Sequence, residues 1–204
     1  MIPIVKLYCD ALTTAFDSIP EDRKKMLDKI TNYIIYKKKE HKPVNLIYVC
    51  THNSRRSHFG QVWAQVAASY YGIKDVHTFS GGTEATAFNI NAINSLKRIG
   101  FEVKAMNDAQ NTLYHVFYDA YKSPVVCFSK VYNDPVNPTS EFAAIMTCSD
   151  AEQNCPFIPG FELRIATTYD DPKSFDLTPL KEAKYDERCK QIATETFYVF
   201  SRVQ

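Results

Sequence analysis

Cys50, Arg56 and Ser57 are the residues through which this chain could do chemistry. Cys50 ends an apolar run, Leu46-Ile47-Tyr48-Val49; five residues later Arg56-Ser57 open a stretch of helical periodicity. A tight loop entering a helix presents backbone N–H groups that have no intrahelical partner, and the helix dipole adds positive potential there. A tetrahedral oxyanion is favoured at such a place. So is a thiolate, because helix N-termini and nearby arginines can lower a cysteine pKa from about 8.5 to roughly 3.5–7.5. Cys50 therefore reads as a nucleophile and Arg56 as a two-pronged oxyanion clamp that lysine could not reproduce. The loop Thr51, His52, Asn53, Ser54 and Arg55 reads as the wall of an anion cradle, with Ser57 donating to the thiolate and the Asn53 amide as a brace. The plain alternative is a buried strand-end cysteine beside solvated arginines. Strand, Cys, loop, Arg-Ser and helix in that order speak for chemistry.

The surrounding elements must hold this loop in place. The strand about 44–49 is almost continuously apolar, as in a parallel sheet covered on both faces. The following helix, about 56–71, buries Phe59, Val62, Trp63, Val66, Ala67 and Tyr70 and stops at Gly72. A second strand at 76–80 runs into Gly81-Gly82, and a helix over about 89–98 closes at Gly100. This alternation predicts an α/β fold: a doubly wound, mostly parallel four-stranded sheet with helices on both faces. Residues 113–118 and 125–128 read as a β-hairpin within an insertion of about 111–141, with His115 an ordinary strand residue. A buried strand at 142–146 leads to Cys148, and a final helix covers about 179–202. Ligands of doubly wound sheets sit at the carboxyl ends of the strands. Cys148 is therefore expected beside Cys50 despite the 98 positions between them. Residues 1–43 read as an N-terminal helical extension of a catalytic domain at 44–204. Spacing over 2–17 is roughly helical, and a firmer helix follows Pro20, with Lys37-Lys38-Lys39 as its solvated end.

Composition narrows the partners. With 24 Lys+Arg against 23 Asp+Glu, no bulk charge speaks for nucleic acid. No apolar run reaches the roughly 20 residues of a membrane span, and no signal core opens the chain, so a cytoplasmic location is expected. The six cysteines then read as thiols rather than disulfides, with Cys9, Cys127 and Cys189 as packing residues. Cys148 and Cys155 could be half of a metal site, yet no second ligand pair stands at metal-like spacing, so neither metal nor cofactor is expected.

The run Cys50-Thr51-His52-Asn53-Ser54-Arg55-Arg56-Ser57 resembles the phosphate-binding loop of the low-molecular-weight protein tyrosine phosphatase superfamily, which includes the thioredoxin-coupled arsenate reductases. The resemblance covers about residues 44–110 and 142–202. It implies a nucleophilic Cys50, a clamping Arg56, a supporting Asn53 and Ser57 on the thiolate. Asp171, directly before Pro172, matches the family's general-acid aspartate, with Asp170 as the alternate; Lys173 stands where the phosphatases carry an aromatic residue. Cys148-Ser149-Asp150-Ala151 and Asn154-Cys155-Pro156 resemble the redox segment of the reductases. That branch implies reduction of arsenate through Cys50, Cys148 and Cys155 with thioredoxin as reductant. The phosphatase branch implies phosphomonoester hydrolysis through a phosphocysteine, with the further cysteines regulatory. A non-catalytic anion-binding protein is the third possibility. His52 and Gln61 depart from the reductase pattern, and Gln61 in place of a glutamate argues against potassium dependence.

Overall fold

In the computed structural model, which describes residues 1–154 and 158–203, β1 (Val44–Cys50) lies inside a four-stranded parallel sheet. It pairs with β2 (Val76–Gly82) on one side and with β6 (Phe142–Met146) on the other, and β7 (Phe161–Ala166) continues beyond β6. The apolar runs of β1 and β6 are explained by cover on both faces. Leu46 and Tyr48 join the larger core, whereas Ile47 and Val49 pack with Phe142, Ala144, Met146 and Ile158 on the opposite face. Helices α2 (Glu21–Lys39), α3 (Arg56–Tyr70) and α6 (Lys181–Ser201) supply the first core, and α5 (Ser149–Asn154) lies on the second. Gly60 in α3 permits the close approach of helix to strand, since a Cβ there would stand 2.2 Å from the Tyr48 ring.

The expected strands and helices around the loop stand within a residue or two of their predicted limits. The spacing over 2–17 resolves into α1 (Pro3–Thr13) and a 3-10 turn at Phe16–Ser18. The predicted hairpin is β4 (Tyr114–Phe117) with β5 (Val125–Cys127), and an unforeseen β3 (Glu102–Ala105) widens it to three antiparallel strands. β3 is short and mostly exposed, so no apolar pattern marks it. β7, the fourth strand, alternates apolar with charged residues, so no continuous apolar run marks it. The Gln61 amide joins the two sheets, donating through Nε2 to the Thr78 carbonyl (3.2 Å) on β2 and the Val126 carbonyl (3.1 Å) on β5.

The lysine run at the end of α2 is not wholly solvated. Lys37 is 0% exposed, and its Nζ lies 2.9 Å from Glu162 on β7. Burial pushes the Glu162 carboxyl up, but hydrogen bonds from Lys37 and Tyr33 outweigh it and hold the pKa below the usual glutamate range. A lowered folded pKa means stability present above the unfolded value of about 4.3 and lost as pH falls through the folded one. Glu162→Gln should therefore flatten the acid limb of a urea-midpoint-versus-pH curve below about pH 4.5. An unchanged limb would show that the pair contributes nothing.

Candidate active site

The chain passes from β1 through α3 to β2 on one side and later adds β6 on the other, so the crevice at the carboxyl ends of β1 and β6 is the topological switch point. The Val49 carbonyl accepts from both the backbone N–H (2.7 Å) and the Oγ1 (2.9 Å) of Thr147, which fixes the end of β6 against β1. Cys50 and Cys148, the two thiols expected together, flank this joint as free, buried cysteines. Thr51 Oγ1 lies 3.4 Å from Cys148 Sγ, so the second thiol touches the residue next to the first. Cys148 Sγ also accepts the Ala151 N–H at 3.3 Å, in the first turn of α5. The third predicted thiol, Cys155, lies outside the described residues.

Cys50 Sγ stands 3.1 Å from Ser57 Oγ at the start of α3. Asn53 Nδ2 donates to that same Oγ at 2.9 Å, which leaves the serine hydrogen for the sulfur. The Asn53 amide is itself oriented by Lys130, whose N–H donates to Asn53 Oδ1 at 2.9 Å. Asn53 adopts φ 42°, a left-handed conformation that asparagine tolerates better than most residues. The loop's carbonyls are taken up from outside: Thr51 by the Glu84 N–H, His52 by the Thr86 and Ser129 hydroxyls, and Ser54 by the Asn89 N–H. The N–H groups of His52, Asn53, Ser54 and Arg55 donate to no acceptor among the described residues. Carbonyls outward and free N–H groups together make an anion nest. A Cβ at Gly82 would stand 2.6 Å from the Thr51 carbonyl oxygen and 2.7 Å from the Asn53 nitrogen. Gly82→Ala should thus deform the nest, weakening inorganic phosphate binding by roughly tenfold or more, as for loss of one to two charge-assisted hydrogen bonds. Calorimetric titration with phosphate checks this, and unchanged affinity would show that the loop yields without loss.

Arg56 is buried and turned toward the loop after β7. Its Nη1 donates to the Tyr169 carbonyl at 2.8 Å and its Nη2 to Asp171 Oδ2 at 2.6 Å, while Nε is buried without a partner. The guanidinium is held by protein on one side and has an unsatisfied donor left over. Asp171 also caps the 3-10 turn Pro172–Phe175 through the Lys173 N–H. Asp170, the alternate acid, is exposed and pairs with Arg188 instead. The Arg55 side chain is taken up by Tyr185 (2.7 Å), Asp176 (3.5 Å) and, at 4.0 Å, the Asp171 carboxylate that also holds Arg56, and that of His52 is half-exposed beside Glu84. Their contribution to the cradle is backbone. Burial pushes the thiols of Cys9, Cys127 and Cys189 up to about 12, so they stay protonated in the packing roles expected of them. Among the described residues no group of three or more His, Cys, Asp or Glu could hold a metal ion.

No family model matches the chain. Among curated proteins it is 25% identical over 127 residues to arsenate reductase 2 of Staphylococcus epidermidis, covering 62% of this chain and 77% of that one. Among solved structures it superposes on a low-molecular-weight phosphotyrosine phosphatase from Vibrio cholerae with TM-score 0.54 and 12% identity, covering 78% of this chain and 95% of that one. An arsenate reductase in the phosphate-binding state gives TM-score 0.51 at 13% identity, covering 79% and 99%. The chain has the fold of the low-molecular-weight tyrosine phosphatases and arsenate reductases. Within that fold, several residues around the cradle carry no sequence signal. Lys130 and Ser129 reach the loop from beyond β5, far from it in the chain. Tyr169 offers a carbonyl, which any residue has, and its ring is fixed by Glu195 (2.8 Å) on α6, which Arg23 of α2 also binds (2.7 Å). The Gly81-Gly82 pair after a strand is visible in the sequence, but nothing local to it shows that Gly82 gives clearance to the nest.

Proposed function

We propose that this chain reduces arsenate to arsenite through Cys50, Cys148 and Cys155, in the cytoplasm, with thioredoxin as the reductant. The observation that carries the reading is Cys148 Sγ against Thr51, at the rim of the nest in which Cys50 sits. A phosphatase needs no thiol there. The Cys50 thiolate adds to arsenate and displaces one oxygen as water, aided by the nest and by Arg56. The Cys148 thiolate then attacks Cys50 Sγ; the S–As bond breaks with its electron pair on arsenic, and arsenite leaves. The two sulfurs are oxidised to a disulfide as arsenic is reduced by two electrons. Cys155 attacks Cys148 Sγ and frees Cys50, and a thioredoxin dithiol reduces the Cys148–Cys155 bond. The similarity to arsenate reductase 2 of Staphylococcus epidermidis supports this branch.

One contact favours a second reading, phosphomonoester hydrolysis. Asp171 lies 2.6 Å from Arg56, where an acid could protonate a leaving alcohol while Cys50 attacks phosphorus. Since phosphate and arsenate share shape and charge, weak phosphatase activity is expected of the reductase as well. The test is arsenate-dependent NADPH consumption with thioredoxin and its reductase, in wild type, Cys148→Ser and Cys155→Ser. Turnover that requires both cysteines supports reduction; none in wild type, or full turnover in both variants, excludes it.

A further inference from the structure

A second cavity, lined by no residue of the loop 50–57, lies between the outer edge of β2 at residues 76–79 and β5 of the smaller sheet. It encloses about 730 Å³, and its walls include Phe79, Leu113, Tyr118, Pro124, Val125 and Phe128. That volume lies within the range of sites that take a small organic molecule. Val126 and Val136, which also line it, are 41% and 55% exposed, so the cavity opens to solvent through an apolar mouth. The charge on its lining is of one sign: Lys122 and Lys130 contribute, and no Asp or Glu does.

Lys130 is the unusual member. It is 4% exposed, and among the described residues no carboxylate lies within 4.0 Å of its ammonium. Its nearest acceptor is the Phe128 carbonyl at 3.5 Å, and the ammonium stands 4.5 Å above the Phe128 ring. Burial holds its pKa below the usual lysine range, against the opposing pull of Cys127 and Asp134. A buried cation without an ion-pair partner is costly, and an anionic group brought against it recovers that cost. We infer that this cavity is a binding site for a small amphiphilic monoanion, an acyl or aromatic acid whose apolar body lies on the Phe79 and Phe128 walls and whose acidic head pairs with Lys130.

Titration calorimetry of the full-length chain with sodium decanoate tests the assignment. Saturating inorganic phosphate keeps the cradle occupied, so the measurement does not depend on the reaction catalysed there. One decanoate should bind per chain. Decanol, which has the same tail but no charge, should bind at least tenfold more weakly, and Lys130→Met should lose at least tenfold for decanoate while changing decanol little. Val126→Glu, which sets a carboxylate at the exposed mouth without touching the core, should also weaken decanoate at least tenfold, and it decides the matter if Lys130→Met does not fold. Absence of saturable binding to wild type, affinity unchanged in Val126→Glu, or equal affinity for decyltrimethylammonium would overturn the proposal.

Discussion

Cys148→Ser is expected to lower thioredoxin-linked arsenate turnover by at least about 10³-fold while leaving p-nitrophenyl phosphate hydrolysis within roughly threefold of wild type. A serine hydroxyl cannot displace arsenite by attack on Cys50 Sγ, so the adduct has no route to arsenic(III). Phosphoryl transfer uses Cys50, Arg56 and the nest and places no demand on a second thiol. The separation is structural: Cys148 Sγ meets the nest at the Thr51 hydroxyl (3.4 Å), whereas the loop carbonyls and the Asn53 amide are held by residues 83–89 and 129–130. Cys50→Ser should remove both activities. Parallel steady-state assays decide it: if Cys148→Ser impairs both reactions equally, Cys148 supports the loop rather than the electron transfer.

Asp171→Asn is expected to move binding and turnover in opposite directions. The Asp171 carboxylate holds Arg56 Nη2 at 2.6 Å, so an incoming oxyanion meets a like charge on its own clamp. The Asp171 side chain is 31% exposed, which limits the pair to about 0.5–1 kcal/mol, so inorganic phosphate should bind roughly two- to fivefold more tightly to the variant. An amide cannot protonate a leaving alkoxide, so kcat for an alkyl phosphate should fall by about 10²–10⁴. Arsenate reduction expels no alkoxide and should fall far less. Weaker phosphate binding in the variant would mean that Asp171 orients Arg56 instead of competing for it.

What the sequence made legible was the local part. A continuous apolar strand, a cysteine at its end and Arg-Ser at a helix start suffice to place Cys50, Asn53, Ser57 and β1, because these lie within one strand–loop–helix unit. Cys148 could be placed because a parallel sheet puts strand ends at one edge, whatever their separation in the chain. The remainder depends on distant side chains that satisfy one another. Lys37 reads as solvated until β7 brings Glu162 to it, and β7 is hard to read because its outer face carries charge. Arg55 looks as fit to bind an anion as Arg56, and the positions of Tyr185, Asp176 and Asp171 occupy it. Which of Asp170 and Asp171 faces the arginine is a matter of backbone direction in a short turn that spacing does not encode.

The outward hydrogen bonds of the loop 51–54 have a thermodynamic consequence. With Asn53 left-handed and its amide engaged at both ends, the shape of the nest is held by the protein's own hydrogen bonds. The loss of backbone freedom is met once, on folding, and association with an oxyanion need not repeat it. Preorganisation of this kind places the discrimination between ligands in charge and geometry, with little contribution from loop rearrangement.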